Sequence, residues 1–200
     1  MCVPGGPNPF KPESSVGPAP SGAADPWSGA WPAFCCAILR DPQGRYLLEK
    51  RPPRADKSGR AVARRARGGS GRAPREPGGL VTCFGGSREP SETPEQCIRR
   101  ELLEELGWDV AKGHLAPAVR LVNAGTQVMR FRGGLVRPGQ VIAWFYRGLA
   151  PGPETPLLTE PGYAALWLTP EETFAADLSR WHRTVLEAER RGEDACGVDW

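Results

Sequence analysis

Between Thr93 and Gly107 the chain specifies a helix at both ends and along its length, and that helix demands a core on one side of it. Thr93 is placed as an N-cap, and Pro94 takes the first helical position, where its missing N–H has no partner to lose. Gln96 follows the cap by three residues, as a capping box requires. Ile98, Leu102 and Leu106 recur every fourth residue as one apolar stripe, and Gly107 supplies the stop. Before this helix, Ala33–Leu39 reads as a buried strand, Asp41–Gly44 as a turn and Arg45–Lys50 as the second arm of a hairpin. Gly79–Phe84 reads as a short buried strand ending at Gly85 and Gly86. After the helix, segments 117–124, 126–132, 139–149 and 163–168 read as strands. A last amphipathic helix from Asp177 to Arg190 shows Leu178, Trp181, Val185 and Ala188 on one side. This order predicts an α/β fold, a mixed sheet with helices on its faces.

The chain of 200 residues suffices for one domain of ordinary size. Its 25 glycines and 22 prolines are concentrated outside the periodic sequence. Residues 1–30 read as a disordered Pro/Gly-rich tail, 31–192 as the domain, and 193–200 as a C-terminal tail. A low-complexity insertion at about 52–78 interrupts the domain. The net charge of +3 hides a divided chain: Arg51 to Arg75 holds nine basic residues against Asp56 alone, leaving the remainder acidic. That segment lacks the interleaved aromatics of a single-strand stacking surface, so a nucleic-acid partner is not expected. The six cysteines have no C-x-x-C spacing, which fits neither a disulfide framework nor a zinc site and points to a reducing cytoplasm. Neither a signal peptide nor a membrane span is expected.

Glu101, Glu104 and Glu105 fall within an arc of roughly 100° beside the apolar stripe. Like charges at these spacings weaken a helix, and Arg100 is the only cation near the arc. A hard divalent cation against the face would relieve the repulsion, since Mg²⁺ takes oxygen ligands and keeps sites for substrate phosphates. Gly85 and Gly86 let the backbone approach a ligand closely, and a bared carbonyl there would complete a metal shell. Glu92, just before the helix, is placed to accept a hydrogen bond from Arg100 and brace the loop.

From Gly86 to Trp108 these residues match the pattern G-x5-E-x7-R-E-U-x-E-E-x-G-U, in which U is bulky and apolar. Gly86, Glu92, Arg100, Glu101, Leu102, Glu104, Glu105 and Gly107 fill its positions, with Trp108 as the last U. The chain thereby resembles the Nudix hydrolases over roughly residues 32–190. The resemblance implies the Nudix fold, an α/β/α sandwich around a mixed β-sheet. It implies Glu101 and Glu105 as metal ligands, Glu104 as a further ligand or water-positioning group, and the Gly85 carbonyl as another metal contact. Arg100 and Glu92 would be the orienting pair. The implied cofactor is Mg²⁺, with Mn²⁺ as a substitute, and the implied reaction is attack by a metal-activated water on a diphosphate phosphorus. The partner would be a nucleotide-type small molecule, either a nucleoside diphosphate derivative or a nucleoside triphosphate. Members often draw a further acid from a distal loop, here Glu160, with Glu154 second. A homodimer is compatible with the resemblance. The competing reading is a catalytically silent ligand-sensing or RNA-associated module.

Overall fold

The apolar run after Ala33 becomes β1, Phe34–Arg40, about which the sheet is organised. Both its faces are covered, so it reads as an unbroken hydrophobic run rather than an alternation. The computed structural model describes residues 33–53, 79–108, 114–131 and 134–199. The expected N-terminal tail, and all of the basic insertion from residue 54 to 78, lie outside them. A turn closed by Gly44 N–H on the Asp41 carbonyl at 2.9 Å leads into β2, Tyr46–Lys50. Next come β3, Val81–Thr82, β4, Phe84–Ser87, and helix α1, Pro94–Leu106. Strands β5, Leu115–Asn123, β6, Met129–Phe131, β7, Gly134–Val136, β8, Val141–Leu149, and β9, Ala164–Leu168, follow. The chain closes with α2, Pro170–Ala175, α3, Arg180–Arg190, and β10, Ala195–Val198.

The main sheet runs β10-β5-β8-β1-β2-β3, with β9 antiparallel on β2. Strand β1 lies parallel to β8 along its whole length, from Phe34↔Ala143 to Arg40↔Leu149. Its other edge is divided. Leu39 and Arg40 pair with β2, whereas Phe34–Ala37 pair with β4. This fork sets the end of β4 at the base of α1. Side chains alternate between two cores. Cys35, Ala37, Leu39, Leu47 and Phe84 meet Ile98, Leu102 and Leu106 of α1. On the opposite face, Cys36, Ile38, Leu48 and Cys83 meet Val185, Leu186 and Ala188 of α3. The capping box forms as expected: Thr93 Oγ1 accepts from Gln96 N–H at 3.2 Å, and Gln96 Oε1 accepts from Thr93 N–H at 2.8 Å. Gly107 ends the helix in the left-handed region at φ 61°.

Several boundaries differ from the sequence reading, each for a physical reason. The strand expected over Gly79–Phe84 breaks at Cys83, whose N–H donates to Nδ1 of His182 at 2.9 Å instead of to a neighbouring strand. The last helix starts at Arg180 rather than Asp177. Asp177 and Ser179 instead bond Val81 of β3 through their backbones at 2.9 Å each. The segment after 192, read as a tail, supplies β10, whose backbone pairs parallel with β5 from Ala195↔Arg120 to Val198↔Asn123. Helix α2 was not foreseen, although Thr169, Pro170 and Glu172 repeat the start signal of α1. At the margin of the sheet, Gly79 N–H donates to the Pro52 carbonyl at 3.1 Å, so the chain leaves after Pro53 and returns beside its point of departure. Among the described residues no helix is long and apolar enough to cross a membrane.

Burial lowers the pKa of His182 to about 3, so it folds as the neutral ring. A depressed folded pKa contributes stability that is complete above the unfolded value near 6.5 and is lost as pH falls toward 3. Urea unfolding is expected to show that decline below about pH 6.5. His182→Asn, which keeps an acceptor for Cys83 N–H, should flatten it.

Candidate active site

The site is assembled where β4 gives way to the loop before α1. Gly85 takes a φ of 133°, and a Cβ there would overlap the Cys35 carbonyl across the ladder, so only glycine fits. At Gly86 the neighbour is different: a Cβ would overlap the carboxylate of Glu101. The loop backbone and Glu101 of the helix are therefore in contact through a space that only a missing side chain leaves open.

Arg100 ties the loop to the helix. Its Nε donates to Glu92 Oε1 at 2.6 Å and its Nη2 to Glu92 Oε2 at 3.0 Å, the two-point geometry of the strongest ion pairs. Nη2 also reaches the Ser87 carbonyl at 3.1 Å. Nη1 donates to Glu101 Oε1 at 2.8 Å and to Glu104 Oε2 at 3.2 Å. The Arg100 hydrogen bonds hold Glu92 below the usual carboxylate range. Glu101 differs: its side chain is only 12% exposed, and burial raises its pKa despite the pull of Arg100. Glu104, with its side chain 59% exposed, stands at the rim.

Glu105 completes the helix face from the inner side. Its Oε2 accepts the Gly85 N–H at 2.8 Å, so the same glycine that admits the strand pairing also holds this acid. Burial foremost, with Glu49 and Glu101 adding, raises its pKa to about 8, against the opposing pull of Gly85 N–H and Arg51. Two neighbouring carboxylates that both resist ionisation form a site short of positive charge.

Of the residues singled out from sequence, Glu92, Arg100, Glu101 and Glu104 share one hydrogen-bonded cluster, and Glu105 joins it through Gly85 and its charge on Glu101. Glu160 is not drawn in. It is exposed on the segment between β8 and β9, which is fastened to the end of α1 by Leu158 N–H on the Leu106 carbonyl at 3.1 Å. Glu154 folds back against Gly152 of its own loop. Cys97, one turn before Glu101 on the same arc, is fully buried against β1, because the sheet covers that edge of the arc as well as the apolar stripe. Among the described residues no three acids, histidines or cysteines converge on one point as a ready metal shell. Two residues near the site were not read from sequence as part of it, the buried Glu49 and its partner Arg51, which was counted only with the basic segment. Only the alternation of β2, with Leu47 facing α1, could have pointed to them.

The family profile described as the NUDIX domain matches residues 30–188. The chain belongs to the Nudix family. Its α/β/α sandwich around a mixed sheet is the Nudix fold. The NUDIX domain of Shewanella oneidensis NrtR, solved with ADP ribose, is 18% identical, with a TM-score of 0.52 over 84% of this chain and 93% of that one. A NUDIX hydrolase from Nitrosomonas europaea is 17% identical, with a TM-score of 0.49 over 83% and 93% of the two chains. The Nudix hydrolase RenU of M. smegmatis gives 17% and 0.49 over 80% and 82%. No curated protein matches the sequence.

The raised pKa of Glu105 has a signed consequence. The folded protein holds a proton there that the unfolded chain releases near 4.5, so stability from this group is lost as pH rises from about 4.5 through 8. In a chelator, the melting temperature is expected to fall across that window, and Glu105→Gln, which keeps an acceptor for Gly85, should remove much of the fall.

Proposed function

We propose that this Nudix domain is a Mg²⁺-dependent hydrolase that cleaves a diphosphate linkage in a nucleoside diphosphate derivative or a nucleoside triphosphate. Mn²⁺ would serve in place of Mg²⁺. The observation that carries the reading is the one guanidinium, Arg100, holding Glu92, Glu101 and Glu104 together while Glu105 lies buried against Gly85. The donor chemistry fits a hard divalent cation, because the lone pairs offered on this face belong to carboxylate and backbone oxygens. The gap at Gly86, which a Cβ would fill, fits it as well. Glu101, Glu105 and Glu104, with the Gly85 carbonyl, would hold the metal. When bound, it supplies a water of lowered pKa and neutralises charge on the leaving phosphate.

The protein's own part is orientation. Glu92 turns the Arg100 fork, and Arg100 in turn aims the Glu101 carboxylate at the loop backbone. Glu104, exposed at the rim, would order water or a further cation. Glu160 would act as the distal acid from the segment anchored on the end of α1.

The test is phosphate release from ADP-ribose, NADH, dinucleoside polyphosphates, dGTP and its oxidised form, with and without Mg²⁺. ADP-ribose enters because the NrtR domain was solved with it. Turnover of at least one compound only with the metal is expected, and tight binding without turnover of any would indicate the sensor reading instead. Glu105→Gln should lower kcat by several orders of magnitude. Gly86→Ala should cost little stability, since its Cβ meets the movable end of Glu101, yet activity should collapse as that carboxylate is displaced. An active Gly86→Ala enzyme would refute the role given to Glu101.

A further inference from the structure

Next to the acidic face stands a cation, Arg51, that the Gly86–Trp108 pattern does not contain. Alternation along β2 sends Glu49 to the side of Leu47, the side covered by α1. Register places Thr82 of β3 opposite Glu49. Arg51 follows β2 directly, its N–H bonded to the Leu80 carbonyl at 3.1 Å. The three side chains close a triangle. Arg51 Nε donates to Glu49 Oε2 at 2.7 Å and lies 3.2 Å from Thr82 Oγ1, which itself donates to Glu49 Oε2 at 3.2 Å.

The asymmetry of this triangle is informative. The Glu49 side chain is 4% exposed, whereas that of Arg51 is 42% exposed. An arginine serving only to neutralise a buried acid would give it the two-point fork, as Arg100 gives Glu92. Arg51 spends only Nε, and neither terminal nitrogen meets a partner among the described residues. The fork is thus held by its stem and left open. Glu105, which Gly85 holds, feels the charges of both Glu49 and Arg51, so the open fork borders the acid face on which the metal would sit.

We propose that Arg51 is a phosphate-binding residue of this site, offering Nη1 and Nη2 to a substrate phosphate, and that Glu49 and Thr82 are positioning residues that fix its guanidinium through Nε. The proposal rests on the hydrolase reading and supplies it with a contact for the diphosphate outside the helix. A planar fork suits two oxygens of one phosphate, which a lysine ammonium cannot match. Glu49 acts through Arg51 and does not touch the substrate.

The experiment is calorimetric titration of imidodiphosphate, a diphosphate with an uncleavable bridge, into the full chain with Mg²⁺ present. Arg51→Gln is expected to weaken binding about tenfold or more and to reduce its dependence on salt. Because Arg51→Gln alone strands a buried carboxylate, the double variant Glu49→Gln/Arg51→Gln removes both charges and guards against a folding artefact. It should bind as weakly as Arg51→Gln while melting near the wild-type temperature. Arg51→Lys should recover only part of the affinity. Glu49→Gln and Thr82→Val should each weaken binding a few-fold when Arg51 is present and have no effect when it is absent. Wild-type affinity in the folded double variant, or no binding by the wild-type chain, would overturn the proposal. Substrate turnover read on the same variants separates the two ideas. Binding lost with Arg51 in a protein that hydrolyses nothing would sink the hydrolase and keep the phosphate contact. Turnover and binding both indifferent to Arg51 would do the reverse.

Discussion

The site depends on one guanidinium. Arg100 is bonded to Glu92 from the loop, to Glu101 and Glu104 from its own helix, and to the Ser87 carbonyl at the end of β4. Without that cation, the loop would have no polar tie to the helix through Glu92, and the helix acids would face one another uncompensated. Charge-assisted bonds of this kind are strong because both partners are ionised and partly withdrawn from water. The carboxylate that Arg100 grips at two points is held below the usual carboxylate range, while burial raises that of Glu101 despite its bond to Arg100. The grip of one arginine on Glu92 and burial at Glu101 thus push acids of the same chemical type in opposite directions.

The sheet prepares this arrangement at a distance. Because β1 gives one end of its edge to β2 and the other to β4, two antiparallel arms diverge from a single strand. One arm ends in the glycines that cradle Glu101 and hold Glu105. The other carries Glu49 and Arg51. Helix α1 lies over the fork, its Ile98, Leu102 and Leu106 fully or almost fully buried. Replacing any of these by alanine would cost about 2–5 kcal/mol, so the packing that stabilises the domain is the same packing that aims the acids.

What the sequence made legible follows from the range of each interaction. Helix α1 could be read to its caps because N-cap, Pro at the first position, apolar period and C-terminal glycine all lie within a few residues of one another. The Glu92–Arg100 pair was accessible for the same reason, being eight residues apart across one loop. Glu49, Arg51 and Thr82 were not accessible, since register between β2 and β3 spans the whole basic segment and no local pattern announces it. The burial of Cys97 beside the acids was not legible, because a helical wheel gives direction around an axis but not how far the covering sheet extends. Strand β10 was missed because its four residues acquire a strand conformation only by pairing with β5. Helix α2 was the one omission with a local remedy, its capping box standing in plain sequence.

The closure between Gly79 and Pro52 bears on how such a domain tolerates change. The backbone bond between them pins the departure and the return of the chain at a single point on the sheet margin. Between two ends pinned in this way, the free energy of closing a flexible stretch grows only with the logarithm of its length, about 0.6 kcal/mol per doubling. Lineages could lengthen, shorten or recompose that stretch with little effect on the fork, the helix or the acids. The same anchorage offers an engineer a port, where a reporter domain could be spliced into the chain while the sheet margin stays closed around it.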